Sequence, residues 1–412
     1  MDATSKTFLN ILQSALNNHQ AALDREIAPE EWGQLFRMAQ SHQILPLFYQ
    51  AVYTLPSLAL EGPLRAAMKQ QVRHQVIRQT IQTSEFLELN RKLLEAGVRP
   101  LVVKGILCRN LYANPDHRPS GDEDLLIPED RFAICHRVLT EFGMHPESDS
   151  LDSYEISYRK EGSPLHIELH KSLFPPESDA YGDLNRFFTD AADRAVSEEI
   201  RGNTVYSPGY TDHLFYLLCH AFKHFLHSGF GIRQVCDIML FANRYGPQTD
   251  WTQILENCRA IRAEKFAAAL FRIGRNYLVF DPDRAAYPAI WREIPVDEKP
   301  LLEDLLHSGL YGDATRSRQH SSSITLEAVT AQKQGKRSKN AMLLSAFPPA
   351  AKLESRYPYL KKHPYLVPVA WGSRLWDYAT ETRRRRDSNA AEALKIGGDR
   401  IELMKLYDIL DS

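Results

Sequence analysis

The chain has 412 residues, of which 43% are hydrophobic and 25% are charged. These are ordinary values for globular proteins and argue against disorder as the main state, and the length predicts two or three domains. The 50 basic and 52 acidic residues nearly cancel, to a net charge of −2. No overall field therefore indicates a nucleic-acid or membrane partner.

The five cysteines are scattered and form no Cys-x-x-Cys pair. This usage indicates reduced core thiols in a cytosolic protein. The first residues lack the basic-then-apolar pattern of a signal peptide, and no run of about 18 apolar residues could span a membrane. We therefore expect a cytoplasmic protein without a membrane partner.

Residues 1–95 are predicted to form an N-terminal helical region. Apolar residues recur at helical spacing over residues 8–16 and 32–39. Residues 63–96 contain no internal proline or glycine, which predicts one long helix leading into a strand. We expect these helices to form a platform that packs on the next region, residues 96–205.

Within residues 96–205 the apolar pattern changes to short runs and alternation. Leu-Val-Val-Lys-Gly predicts a strand that ends at Gly105 and enters a helix. A turn then leads to Asp122 and Asp124, which should share one face of a second strand while Glu123 points the opposite way. Two carboxylates on one face repel each other unless a cation lies between them, and oxygen ligands suit Mg²⁺ or Mn²⁺.

A third acid, Glu168, lies in the alternating segment Leu-His-Ile-Glu-Leu. Three acids on neighbouring strands could hold one or two Mg²⁺ ions against nucleotide phosphates, which predicts a phosphoryl-transfer site. The alternatives are a turn or helix cap for the aspartates and a salt bridge for Glu168. His166 and His170 share its strand face and leave a zinc site open, although His-x-Glu-x-His is not a recognised zinc spacing.

The order of these motifs resembles a known family. Leu-x-x-Lys-Gly, Arg-Pro-x-x-Asp-x-Asp-Leu-Leu and Glu-Leu-His, which start at residues 101, 118 and 168, are similar to those of bacterial uncharacterised nucleotidyltransferases, within the DNA-polymerase-β-type superfamily. The resemblance extends roughly over residues 45–410. It implies an α+β fold, in which a small mixed-sheet core is flanked by N- and C-terminal helical regions.

The resemblance implies transfer of a nucleoside monophosphate from an NTP to an acceptor hydroxyl, with release of pyrophosphate. Asp122, Asp124 and Glu168 would be the catalytic acids that hold Mg²⁺ or Mn²⁺, and Glu168 could instead activate the acceptor. The expected nucleotide-binding residues are Lys104, Gly105, Arg118, Ser120, His170, Lys223, His224, Arg233 and Asp237. Arg118 could instead pair with Asp116 or Asp122.

Gly105 would let phosphate oxygens approach the backbone at a helix N-terminus. The broad superfamily has Gly-Ser or Gly-Gly at this point. Here Ile106 follows and provides no hydroxyl, so Lys104 would supply the positive charge.

Residues 206–312 are predicted to form a second helical domain, with histidines and apolar residues on one broad stripe of its first helix. Arg233 and Asp237 are four residues apart and could form a helical ion pair. They could also line the nucleotide cleft with Lys223 and His224. Helix packing is the alternative for each of the four.

Residues 313–412 are predicted to be a partly irregular extension with a terminal helix. The Ser-, Gln- and Lys/Arg-rich stretch 313–342 predicts a loop, and the terminal helix is expected to break at Gly397 and Gly398. The basic segments 333–339 and 383–386 are expected to be solvated, with RNA or an acidic partner as the alternative.

The sequence leaves the acceptor, the nucleotide base and the oligomeric state open. The near-neutral charge favours a small-molecule or peptide acceptor, and transfer to protein or tRNA is the alternative. A nucleotide-binding module without catalysis is a further alternative, against which the presence of all three acids argues.

Overall fold

The structure is a computed structural model that describes residues 1–55, 63–148, 150–227, 229–308, 316–335, 353, 357–373 and 390–411. The chain divides into two compact units. The first consists of Met1–Ala221 and Gly231–His307, and the second of Phe222–Phe230 and Ser308–Ser412. The division of the sequence at residues 95, 205 and 312 stays a prediction.

The described residues form fourteen α-helices, numbered here in chain order. They are α1 (Ala3–Leu16), α2 (Pro29–Ser41), α3 (Leu45–Val52), α4 (Pro63–Glu95), α5 (Ile106–Arg109), α6 (Phe132–Glu141), α7 (Tyr210–His227), α8 (Ile232–Tyr245), α9 (Trp251–Ala260), α10 (Glu264–Tyr277), α11 (Ala289–Arg292), α12 (Lys299–Ser308), α13 (Arg316–Lys333) and α14 (Ala390–Leu406). The long helix expected before the first strand is therefore confirmed as α4. No helix in these ranges is both long and apolar enough to cross a membrane.

The first unit contains a mixed sheet of seven strands. They are β1 (Leu101–Val102), β2 (Glu123–Leu126), β3 (His145–Pro146), β4 (Glu155–Arg159), β5 (His166–His170), β6 (Val196–Ile200) and β7 (Asn203–Ser207). Their order across the sheet is β3-β4-β5-β2-β1-β7-β6. β2 runs parallel to β5, and β1 runs parallel to β7. The predicted fold, a small mixed sheet flanked by helices, is confirmed.

One face of the sheet packs against α4 and α6. The buried residues of this core include Phe86, Leu89, Leu93, Leu125, Leu139, Tyr158, Ile167 and Leu169. Because side chains alternate along a strand, the neighbours of these core residues on β2 and β5 point to the opposite face. That opposite face carries Asp124, Glu168 and His170, and α7 contacts the end of β1 beside it through His213.

The β6–β7 hairpin extends the sheet beyond β1 and is not predicted from the sequence. Arg201 and Gly202 form its turn with φ of 50° and 75°. Two consecutive residues with positive φ give the tight turn that suits the twist of a hairpin. The burial of β6 alternates along the strand, but its sequence has the charged Glu198 and Glu199 next to each other, which obscures the apolar pattern of a strand.

In the second unit, α13 packs against α14. The expectation of a loop over 313–342 is wrong for Arg316–Lys333, which is helical. The last residues of that stretch, and the basic segments apart from residues 333–335, lie outside the described residues. The expected break at Gly397 and Gly398 is also wrong, because α14 continues through both. A Cβ at Gly397 would lie 2.8 Å from Ile324 Cδ1, so this glycine allows the two helices to approach.

The two glycines of α14 should respond differently to alanine. Nothing lies within 4 Å of a Cβ at Gly398, so Gly398→Ala should raise the free energy of unfolding by up to about 1 kcal/mol through helix propensity. Gly397→Ala should be less stable than Gly398→Ala by about 1 kcal/mol, because its methyl overpacks Ile324. Urea titration with hydrogen exchange of the α14 amides checks this, and equal gains would contradict the packing described.

Candidate active site

The sheet register brings an acid of β2 next to an acid of β5. Asp124 pairs with Glu168 across the two parallel strands, and His170 follows two residues later on the same strand face. One ligand atom of each of these three residues lies within 4.8 Å of the others. Among the described residues, this is the group of histidines, cysteines and acids whose spacing suits a metal ion.

Asp124 lies at the centre of this group and its side chain is 1% exposed. Its Oδ1 atom is 2.8 Å from Lys104 Nζ and 3.4 Å from His170 Nε2. Burial alone would raise the pKa of Asp124, but Lys104 and His170 lower it, so the carboxyl pKa is below its ordinary value. The Oδ2 atom is buried and has no hydrogen-bond partner among the described residues.

Asp122 lies just before β2 and is half-buried. Burial raises its pKa and the charge of Asp124 raises it further, while Lys104 and Arg233 act in the opposite direction. The carboxylate therefore shares the electrostatic environment of Asp124, as expected for two acids on one face. The expected trio nevertheless differs in detail, since His170 and not Asp122 completes the 4.8 Å group.

His170 is a partner of both acids. Its Nε2 atom is 3.4 Å from Asp124 Oδ1 and 3.6 Å from Glu168 Oε2, and its Nδ1 atom is 3.7 Å from Glu155 Oε2. Burial alone would lower the pKa of His170, but the neighbouring carboxylates of Asp124 and Glu168, with Glu155, raise it to about 9. At neutral pH the ring is therefore a cation between carboxylates.

These residues fit a hard divalent cation. Asp124 Oδ2 is a buried oxygen without a partner, and Glu168, whose side chain is 21% exposed, adds a second carboxylate beside it. Oxygen ligands of this kind suit Mg²⁺ or Mn²⁺. The zinc alternative is less favoured, because the group offers one histidine and no cysteine beside its two carboxylates.

Lys104 supplies the second cation of the group. Its ammonium contacts Asp124 at 2.8 Å and His220 Nε2 at 3.2 Å. Burial alone would lower the pKa of Lys104, but Asp124, with Tyr216, Asp122 and Glu168, raises it well above its ordinary value. Lys104 is therefore a cation at neutral pH.

Glu123 points to the opposite face of β2, as predicted, and is fully buried. Its Oε1 atom accepts hydrogen bonds from Arg109 Nη2 at 2.5 Å and Gln82 Nε2 at 3.1 Å. Its Oε2 atom accepts the Ile106 N–H at 2.7 Å. A Cβ at Gly105, whose φ is 52°, would lie 1.9 Å from Oε2, so only glycine leaves room for this carboxylate.

The N-terminus of α5, where the sequence predicts a phosphate site, faces a carboxylate in this structure. The Ile106 amide already binds the Glu123 carboxylate, and Gly105 makes space for that carboxylate. Ser120 also has structural partners. Its hydroxyl accepts a hydrogen bond from the Arg109 guanidinium, and its N–H donates to Gln79 Oε1 at 2.7 Å.

Arg118 and Asp237 bind each other in a buried ion pair. Arg118 Nε donates to Asp237 Oδ1 at 3.1 Å, and the Tyr112 hydroxyl donates to the same oxygen at 2.7 Å. Asp237 therefore replaces Asp116 and Asp122 as the partner of Arg118. Arg233 does not form the expected helical ion pair with Asp237 and contacts other partners instead.

Arg233 lies in the first turn of α8 and reaches the turn before β2. Its guanidinium donates to the Pro119 carbonyl and, at 3.0 Å, to Gln43 Oε1. Burial lowers the pKa of Arg233 to about 10, while Asp237 and Asp122 oppose this shift. The side chain therefore fixes the segment that carries Asp122 and adds positive charge near it.

The site geometry agrees with a comparison to known proteins. A family model described as "Uncharacterised nucleotidyltransferase" matches residues 28–278, which is more than half of the chain.

The chain belongs to this uncharacterised nucleotidyltransferase family. It is therefore a nucleotidyl-transfer enzyme. The match ends at residue 278, so the expected extent of the resemblance, to about residue 410, is too long. Searches of curated proteins and of solved structures gave no match.

Sequence reasoning missed several residues of this nucleotidyltransferase site. His213, Tyr216 and His220 of α7 face the sheet at spacings of three and four residues, which the helical stripe indicates but does not rank above its neighbours. His213 donates from Nε2 to the Val103 carbonyl at 2.8 Å. Lys223 and His224 follow on α7 in the second unit, and their nucleotide-binding role stays a prediction.

The buried Glu123–Arg109 pair of the nucleotidyltransferase should be costly to break. Glu123→Leu should lower the free energy of unfolding by about 3–5 kcal/mol, because it leaves the fully buried Arg109 charge unpaired. The control is Glu95→Gln, which removes the exposed Arg91–Glu95 pair and should cost less than about 1 kcal/mol. Urea unfolding measures both, and similar costs would show that Arg109 does not depend on Glu123 for its burial.

The charge of His170 should make the metal-free enzyme less stable as pH rises. Its folded-state pKa is about 9, above the ordinary 6.5, so its stabilisation is complete below pH 6.5 and is lost as pH rises through 9. Melting temperatures measured in EDTA should therefore fall across this window, and His170→Gln should remove that fall. An unchanged slope in the variant would be evidence against the charged pair.

Proposed function

We propose that this nucleotidyltransferase moves a nucleoside monophosphate from an NTP to a hydroxyl of a small molecule or peptide and releases pyrophosphate, as in the DNA-polymerase-β-type superfamily. One observation carries the proposal. Asp124 and Glu168 lie side by side on parallel strands, with Asp122 just before the first strand. Such a cluster of acids is suited to a metal-dependent phosphoryl-transfer site.

Asp124 and Glu168, with Asp122 beside them, would hold Mg²⁺ or Mn²⁺. The partnerless Asp124 Oδ2 atom supports this assignment. When bound, such an ion neutralises phosphate charge and lowers the barrier to attack at phosphorus.

The chain's own residues supply the remaining steps. Lys104 is a cationic donor for the phosphates, and its contact with Asp124 keeps it beside the acids. The acceptor oxygen forms a bond to the α-phosphorus while the bond between that phosphorus and the bridging oxygen to the β-phosphate breaks. The proton of the acceptor hydroxyl passes to Glu168, unless this residue serves only as a metal ligand.

The other expected nucleotide-binding residues have supporting roles in this proposal. Arg118 and Asp237 bind each other in the interior, which supports a bracing role for the pair. Gly105 and Ser120 shape the turns on which Lys104 and Asp122 are carried. Arg233 lends positive charge to the approach of the triphosphate near Asp122.

The five cysteines are buried free thiols, which supports a reducing, cytoplasmic setting for the reaction. The near-neutral net charge of −2 supports an acceptor that is not nucleic acid. We therefore direct the first search for products to small molecules and peptides.

The proposal predicts that Asp124→Asn abolishes activity. Purified enzyme is incubated with each labelled NTP, MgCl₂ and a cell extract, and products are identified by mass spectrometry alongside pyrophosphate release. Asp124→Asn should reduce turnover by more than about 100-fold, because a carboxylate that holds the metal is lost. The control Asp130→Asn replaces an exposed aspartate and should keep turnover. No nucleotidylated product with wild-type enzyme, or full turnover by Asp124→Asn, would refute the proposal.

A further inference from the structure

Lys104 has three ammonium N–H groups, and two of them have protein acceptors. One donates to Asp124 Oδ1 at 2.8 Å, and the second donates to His220 Nε2 at 3.2 Å. The Lys104 side chain is 19% exposed, so it is tethered but not fully enclosed. Among the described residues these are its two hydrogen-bond acceptors, which leaves one N–H group for a further acceptor.

The direction of the contact with His220 follows from the chemistry of the two groups. An ammonium only donates hydrogen bonds, so His220 Nε2 must be the acceptor. A neutral imidazole that accepts at Nε2 carries its hydrogen at Nδ1. The Nδ1–H group then needs an acceptor of its own.

Gln234, on α8, provides that acceptor. Its side-chain amide lies 3.4 Å from His220 Nδ1, and its carbonyl oxygen is otherwise buried without a partner. The two ends of an amide have nearly the same shape, so the hydrogen-bond network decides its orientation. With the oxygen directed at Nδ1, both groups are satisfied, and a chain of bonds leads from Gln234 through His220 to Lys104.

We propose that His220 is a positioning residue that aims the remaining N–H of Lys104 at the phosphates of the NTP, with Gln234 fixing its tautomer. This inference rests on the proposed function. A lysine side chain has several rotatable bonds, and a second tether restricts the positions that its ammonium can occupy. An ammonium held in place loses less entropy when it binds a phosphate.

A purely structural role for His220 makes a different prediction. Its ring also packs against Tyr216, with centroids 5.9 Å apart, so a variant could affect the site through packing alone. A packing defect would weaken the binding of a nucleoside and of its triphosphate alike. A misplaced Lys104 would weaken only the triphosphate, because the nucleoside has no phosphate to bind.

The test compares two substitutions of His220 in the full-length enzyme. Calorimetry measures Kd for ATP, GTP, CTP and UTP with MgCl₂, and for the nucleoside of whichever triphosphate binds. His220→Leu fills the space without an acceptor and should weaken triphosphate binding by about tenfold while leaving nucleoside binding unchanged. His220→Gln places an amide oxygen where Nε2 was and should restore most of the affinity.

Two further variants complete the design. Gln234→Leu removes the acceptor that fixes the tautomer of His220 and should weaken triphosphate binding by about threefold. His136 is the control, since it is a half-buried histidine bonded at 2.8 Å to Tyr158 on the core face of the sheet. His136→Leu should leave triphosphate affinity unchanged.

The outcomes separate this inference from the proposed function. If wild-type enzyme binds no triphosphate with MgCl₂, the proposed function fails. If the wild type binds a triphosphate and His220→Leu binds it equally well, or loses nucleoside affinity in parallel, the positioning role of His220 is overturned. A selective loss that His220→Gln restores supports it.

Discussion

The site depends on a carboxylate that is withdrawn from water and shared between two cations. Asp124 is ionised in the interior because Lys104 and His170 offset the cost of burying its charge. Each partner comes from a different strand region, so the contact also ties the ends of β1 and β5 to β2. The residues of the candidate site and those that connect the strands are thus partly the same.

The two faces of β2 carry neighbouring acids that have different partners. Asp124 lies on the face with Glu168 and His170, while Glu123 binds Arg109, Gln82 and the backbone of the turn after β1. The position of Lys104 is therefore also set from the opposite face of β2, by the buried Glu123 carboxylate. A change at Glu123 or Arg109 would reach the site by moving this turn.

Local patterns predicted the parts of the site that depend on neighbouring residues. The alternation of side chains along a strand placed Asp124 and Glu123 on opposite faces, and the lack of internal proline and glycine predicted α4. Contacts between distant residues were not predictable. Asp237 lies 119 positions from its partner Arg118, and this pairing depends on packing that no local pattern encodes. Polar composition was misleading in α13, where a Ser- and Gln-rich segment forms a helix because it packs against α14.

The two edge strands of the sheet affect the tendency of the protein to aggregate at high concentration. β3 has only two residues, one of them a proline, and β6 carries Glu198 and Glu199. Short strands, proline and charge each discourage the addition of a strand from another molecule. These edge features thereby limit the tendency of the mixed sheet to aggregate through its edges.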